Sequence, residues 1–103
     1  MKTDITNNQC YSKISIDTDL YNYLILVGFE ISHYGNDICG SMTLDIGNTA
    51  GETDLQLFIN YDNLEHREIE GKYCLSYQTD LIIESDDPRS IKTAVNNFLK
   101  KVN

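Results

Sequence analysis

The sequence predicts an α+β fold: a mainly antiparallel β-sheet, a meander or small sandwich of about five to seven strands, followed by one C-terminal amphipathic helix. Three observations lead there. Apolar residues alternate with polar ones at the period of a strand through most of the chain. Short separators rich in Gly and Asn divide these runs. After Pro88 the period changes to the three-four spacing of a helix. With 103 residues and 41% apolar content the chain fits one domain, 1–103. Residues 1–9 are polar enough to lack order, 11–85 form a β-rich body and 88–102 the helix.

The first alternating run is Tyr23, Ile25, Val27, Phe29, Ile31 and His33. Leu24 and Leu26 occupy its opposite face before Gly28, Glu30 and Ser32 make that face polar, as in a central strand covered on both sides at one end. The second run is Ile38, Gly40, Met42, Leu44 and Ile46; the third is Leu55, Leu57, Ile59 and Tyr61; the fourth is Tyr73, Leu75 and Tyr77. Leu81 to Glu84 reads as a short closing strand. The separators Tyr34-Gly35-Asn36-Asp37, Gly47 to Gly51, Asp62-Asn63 and Glu70-Gly71 tolerate positive φ, so consecutive strands are expected to pair as antiparallel hairpins. At Asp86-Asp87-Pro88 an aspartate in capping position and a proline in the first turn start a helix. Ile91, Ala94, Val95, Phe98, Leu99 and Val102 line one of its faces, and Lys100 and Lys101 suit the negative end of its dipole.

Charge is distributed unevenly. From Ile14 to His66 there is no lysine or arginine, against nine carboxylates: Asp17, Asp19, Glu30, Asp37, Asp45, Glu52, Asp54, Asp62 and Glu65. Residues 1–87 hold all 16 acids and only Lys2, Lys13, Arg67 and Lys72, a net −12; residues 88–103 hold four cations and no acid. An acidic body of this kind repels phosphate backbones and attracts cationic partners, so no direct nucleic-acid or membrane binding is expected. The longest apolar run, Tyr23 to Val27, is too short to cross a bilayer, which leads to a soluble, cytoplasmic protein. Cys10, Cys39 and Cys74, odd in number and without a CxxC pair, suit a reducing compartment.

Catalytic patterns are incomplete. His66-Arg67-Glu68 matches the H-x-E half of the zinc deaminase signature, but Cys74 stands alone where a P-C-x-x-C segment is needed. Glu52, Asp54 and Asp62 lack calcium-loop spacing, and the Gly47 to Gly51 loop carries no lysine for a phosphate. The reading is therefore of a non-enzyme without metal or cofactor that binds a protein. The residues expected at its interface are Asp37 in the first turn, Glu52 and Asp54 in the glycine-flanked loop, and Asp62, Glu65, Glu68 and Glu70 around the next hairpin. Tyr34 and Tyr61 would be the neighbouring aromatic anchors.

In size, acidity, sheet-plus-helix pattern and lack of a catalytic motif, the chain resembles the small immunity proteins of bacterial toxin systems, including contact-dependent growth inhibition. The resemblance implies a monomer that neutralises a basic toxin domain, a nuclease and foremost a ribonuclease, in a 1:1 complex that occludes the toxin's active site. Two alternatives share the size and charge: a secretion chaperone and a phage-encoded nucleic-acid mimic. Secretion chaperones generally dimerise and begin with a helix, and no helical period is read in the N-terminal region.

Overall fold

The computed structural model describes residues 1–7, 10, 12–32, 40–46, 54–67, 71–78 and 80–102. The chain opens with an antiparallel pair, β1 (Lys2–Asp4) and β2 (Ser15–Asp17), so part of the N-terminal stretch expected to lack order is a strand. Helix α1 (Thr18–Val27) follows at once. Then β3 (Glu30–Ile31), β4 (Gly40–Asp45), β5 (Asp54–Ile59), β6 (Tyr73–Tyr77) and β7 (Asp80–Ser85) form a five-stranded antiparallel sheet in sequence order, a meander. A 3-10 turn, Leu64–His66, interrupts the β5–β6 connection, and α2 (Pro88–Val102) follows β7. The predicted α+β class and the meander are both present, with a second helix and a two-stranded sheet added.

The strand expected over Tyr23–His33 is corrected: its first part belongs to α1, and of its described residues Glu30–Ile31 joins the sheet, at an edge rather than the centre, while His33 lies outside the described residues. Two periods coexist in that stretch. Beside the alternation of Tyr23, Ile25 and Val27 runs Leu20, Tyr23, Leu24 and Val27 at helical spacing, and this second set is the one that packs. Leu20 and Leu24 are buried and Tyr23 and Val27 half-buried, whereas Ile25 and Leu26 remain 44% and 84% exposed. Both ends are fixed by local chemistry. The Asp17 carboxylate accepts the Leu20 N–H at 3.0 Å, and Asp19 lies in the first turn. Gly28 closes the helix at φ +111°, its N–H shared between the carbonyls of Ile25 and Leu24 while Phe29 N–H reaches Leu24 at 2.9 Å. A Cβ on Gly28 would also stand 3.1 Å from Leu44 Cδ1, so glycine serves both the turn and the packing.

Register assigns the faces of the sheet. Met42, Leu57, Leu75 and Ile83 stand side by side across four strands, flanked by Leu44, Leu55 and Tyr77 on one side and Ile59 and Tyr73 on the other. This face meets Leu20, Leu24 and Phe29, the N-terminal Ile5, Ile14 and Ile16, and Ile91 and Val95 of α2 in one core. Each large side chain taken fully out of water contributes roughly 1.5–3 kcal/mol before the entropy of ordering is set against it. The expected start of α2 holds: the Asp87 carboxylate accepts Arg89 N–H at 3.0 Å and the Ser90 hydroxyl at 3.3 Å. Phe98 tilts against Tyr77 with ring centroids 5.0 Å apart. Between β6 and β7 the register slips, Leu75 facing Ile83 but Ser76 facing Leu81, which leaves Ile82 as an extra residue in the edge strand.

Candidate partner-binding face

Because the inward residues of β4 to β7 bury against both helices and the N-terminal pair, the alternate residues form the sheet's other face, the open one among the described residues. One row crosses the whole sheet: Glu30 opposite Thr43, Thr43 opposite Gln56, Gln56 opposite Ser76, and Ser76 opposite Leu81. A second row is Ser41, Phe58, Cys74 and Glu84, and Asp45 pairs with Asp54 at the end of the β4–β5 ladder. Glu30, Asp45, Leu81 and Glu84 are exposed; Thr43, Gln56, Phe58, Cys74 and Ser76 are half-buried, and Ser41 is buried, its hydroxyl donating to the Ser32 carbonyl. The result is a polar surface with an aromatic ring near its centre and carboxylates toward its margins.

Its charge is one-sided. The five strands hold Glu30, Asp45, Asp54, Asp80 and Glu84 but neither lysine nor arginine; all but Asp80, which stands opposite Tyr77 on the inner side, fall in the register of the open face. Helix α2, packed on the other side, holds Arg89, Lys92, Lys100 and Lys101 and no acid. Lys92 lies 5.1 Å from the centroid of the Tyr23 ring, a cation–π contact on the helical side that also turns this charge away from the sheet's open face. Negative potential therefore gathers over the open face, where a cationic surface would be steered. Cys74, in the middle of that face, is a poor nucleophile: burial pushes its thiol up, and the Glu84 carboxylate adds to the effect.

The residues singled out from the sequence separate into three groups. Tyr34, Asp37, Glu52, Glu68 and Glu70 lie outside the described residues. Asp54 is described by its backbone, as the first residue of β5. Tyr61, Asp62 and Glu65 are described fully. Tyr61 is only 2% exposed and lies in the core, so its reading as a surface anchor is corrected: the alternation of Leu55, Leu57 and Ile59 simply continues inward by one more residue. Glu65 is exposed in the 3-10 turn, where Asn63 Oδ1 accepts its N–H at 3.0 Å, and it remains a surface residue.

Asp62 is a clamp within the fold. Its Oδ1 accepts Ser15 N–H at 2.9 Å and Lys72 Nζ at 2.8 Å, and its Oδ2 accepts the Ser15 hydroxyl at 2.8 Å. Lys72 is only 6% exposed and donates also to the Asn60 carbonyl at 2.6 Å. Burial would raise the Asp62 carboxyl, but the hydrogen bonds from Lys72 and Ser15 outweigh it and hold the group below the ordinary carboxylate value. Burial pushes the Lys72 ammonium down, opposed by Asp62. Around this pair Asn60 Nδ2 donates to the Gly71 carbonyl at 3.2 Å, Asp86 accepts Lys72 N–H at 2.8 Å, and Arg67 Nε reaches the Tyr61 carbonyl at 2.6 Å. The network joins β2, the β5–β6 connection and the segment before α2.

Glu30, Asp45, Asp80 and Glu84 lie in strands rather than in the turns expected to carry the interface, although the alternation sets Asp45 and Glu84 on the polar side of their strands. Among the described residues no three His, Cys, Asp or Glu side chains converge as a metal site, and no helix is long and apolar enough to cross a membrane. The chain matches no protein-family model, and no curated protein or solved structure is significantly similar to it.

Proposed function

We propose that this chain is a cytosolic immunity-type protein that binds a cognate cationic toxin domain, a nuclease and foremost a ribonuclease, and occludes its active site with the open face of the sheet. One observation carries the reading: a five-stranded sheet whose strands hold five carboxylates and no cation, backed by a helix that holds four cations and no acid. A nuclease gathers Lys and Arg around the phosphate it cleaves. Carboxylates presented at that groove accelerate encounter and then take the place of phosphate oxygens in charge-assisted hydrogen bonds. Thr43, Gln56 and Ser76 add neutral donors and acceptors, and Phe58 adds apolar contact at the centre.

The test is reversal of charge on the sheet alone, with Glu30→Lys, Asp45→Lys and Glu84→Lys combined in one variant. Association with a purified basic nuclease toxin domain that the parent protein inhibits is followed by stopped-flow fluorescence, and its nuclease activity by substrate cleavage. The variant is expected to associate more slowly by about tenfold or more at low salt, with the gap closing as salt rises. Unchanged association and unchanged inhibition would exclude the open face as the interface.

A second reading, the secretion chaperone, gains from α1. The chain opens with β1 and β2 rather than with a helix, but α1 follows at once, and Ile25, Leu26 and Ile31 leave apolar surface at 44%, 84% and 44% exposure where an effector segment could lie. Sedimentation separates the two: a stable dimer favours the chaperone, and a monomer that forms a 1:1 complex favours the inhibitor.

A further inference from the structure

We infer that β7 is a second docking element, onto which an extended, lysine- or arginine-bearing segment of the protein partner adds as a sixth strand. The inference rests on the reading of a cationic protein partner and specifies how part of that partner is held. β7 ends the strand order β3-β4-β5-β6-β7, so among the described residues one side of its backbone has no strand beside it. It is six residues long, a full recognition length, and contains neither proline nor lysine to discourage pairing. It also presents apolar side chains unusually openly for an edge, Leu81 at 61% and Ile82 at 37% exposure.

Beside this edge an open groove of about 440 Å³ runs between β7 and α2, with Ile83 and Ala94 in its lining, Ser90, Thr93 and Asn97 along the helix, and the Asp87 and Arg89 pair at its helix-start end. Ile83 faces inward, opposite Leu75, so the groove lies on the inner side of the edge. Side chains of an added strand would alternate. Those pointing inward would enter the groove beside Ile83 and Ala94, and those pointing outward would meet Leu81 and Glu84.

Charge selects the occupant. Asp80 and Glu84 are exposed on the strand, and exposed Asp86 and Asp87 continue beyond its end, against Arg67, which pairs with Asp86 at 3.9 Å, and Arg89, which pairs with Asp87 at 3.7 Å, so that Asp80 and Glu84 carry the selection. A segment alternating apolar and basic residues complements both the groove and these carboxylates. A second copy of this chain fits less well, because each copy carries a net −8 and two β7 edges would bring Asp80 and Glu84 of both strands together.

The experiment uses the intact protein and an acetylated, amidated peptide of alternating lysine and valine, observed by backbone NMR and hydrogen exchange. Amides within Leu81–Ser85 are expected to shift, and some to exchange more slowly by about tenfold. The same peptide N-methylated along one edge keeps its charge but cannot pair, and is expected to bind at least about tenfold more weakly. A glutamate–valine peptide is expected to leave β7 unshifted, and Thr93→Trp, which fills the groove from an exposed position, to weaken the lysine–valine peptide. Shifts confined to Thr43, Gln56 and Ser76 would overturn strand addition while leaving the cationic-partner reading intact. Equal binding of the N-methylated peptide overturns it too. So does β7 protection that grows with protein concentration without peptide, which would assign the edge to a second copy. If no peptide binds at about 1 mM, the edge proposal fails, and the toxin assay decides the broader reading separately.

Discussion

Removing Asp62 should destabilise the fold more than removing its partner Lys72, even though the two form one ion pair. The difference lies in what each deletion leaves behind. In Asp62→Ala the Lys72 ammonium, with its side chain only 8% exposed, keeps the Asn60 carbonyl as its hydrogen-bond acceptor but has lost its counter-charge. Ser15 loses acceptors for both its N–H and its hydroxyl. Breaking a fully buried pair in this way costs about 3–5 kcal/mol, and the 28% exposure of the Asp62 side chain moves the expectation to the lower end, about 3 kcal/mol. In Lys72→Met the Asp62 carboxylate retains both Ser15 bonds and its access to water, so the cost should be about 1–2 kcal/mol. The double variant should cost less than the sum of the single ones by about 1 kcal/mol or more. Urea denaturation followed by circular dichroism, at neutral pH and with a constant slope, measures all three. If Lys72→Met proved the more costly, or if the effects simply added, the assignment of Asp62 as the clamp would be wrong.

Further expectations follow from individual residues. The Asp62 carboxyl is held below its ordinary value of 3.8, so the unfolded chain takes up that proton first; its stabilisation is present above that value and lost as pH falls through the folded-state value. Acid titration of Asp62→Ala should accordingly show a shallower loss of stability below about pH 4 than the parent protein. Gly28→Ala should cost about 1–2 kcal/mol by urea denaturation, because alanine is strained at φ +111° and its Cβ would press on Leu44. Leu57→Ala, at a fully buried position, should cost about 2–5 kcal/mol, whereas Leu26→Gln at 84% exposure should stay within about 0.5 kcal/mol. Alkylation of Cys74 by iodoacetamide near neutral pH should be slower than that of a small free thiol and faster in Glu84→Gln, read by mass spectrometry.

The sheet and α2 were legible because each signal there was unopposed. β6 occupies Tyr73–Tyr77 as its alternation implies, β4, β5 and β7 lie within their predicted runs or one residue beyond, and Asp87 and Pro88 start α2 where capping chemistry places it. α1 was obscured by its own composition. Tyr23, Ile25 and Val27 have strand-forming side chains at alternate positions, yet Asp17 before the run and Gly28 after it are the start and stop signals of a helix, and burial of Leu20 and Leu24 decided between the two periods. At the candidate site, sequence revealed the sign of the charge but not its layer. Asp62 and Tyr61 read as polar-turn and aromatic surface residues until pairing over a separation of 47 residues brought Ser15 to Asp62, and Tyr61 continued the core face of β5.

That long-range clamp also has a consequence for synthesis on the ribosome. Ser15 cannot be secured until Asp62 and Lys72 have emerged, and Asp17 N–H waits for the Tyr73 hydroxyl, 56 residues later. Ile91 and Val95, which complete the core, come later still. At about 5–20 residues per second the N-terminal strands and α1 therefore spend several seconds with their apolar faces unmatched. Ile14, Ile16, Leu20 and Leu24 are the residues most in need of shelter during that interval, and a nascent chain halted before Lys72 should be the form on which proteases and holding chaperones act.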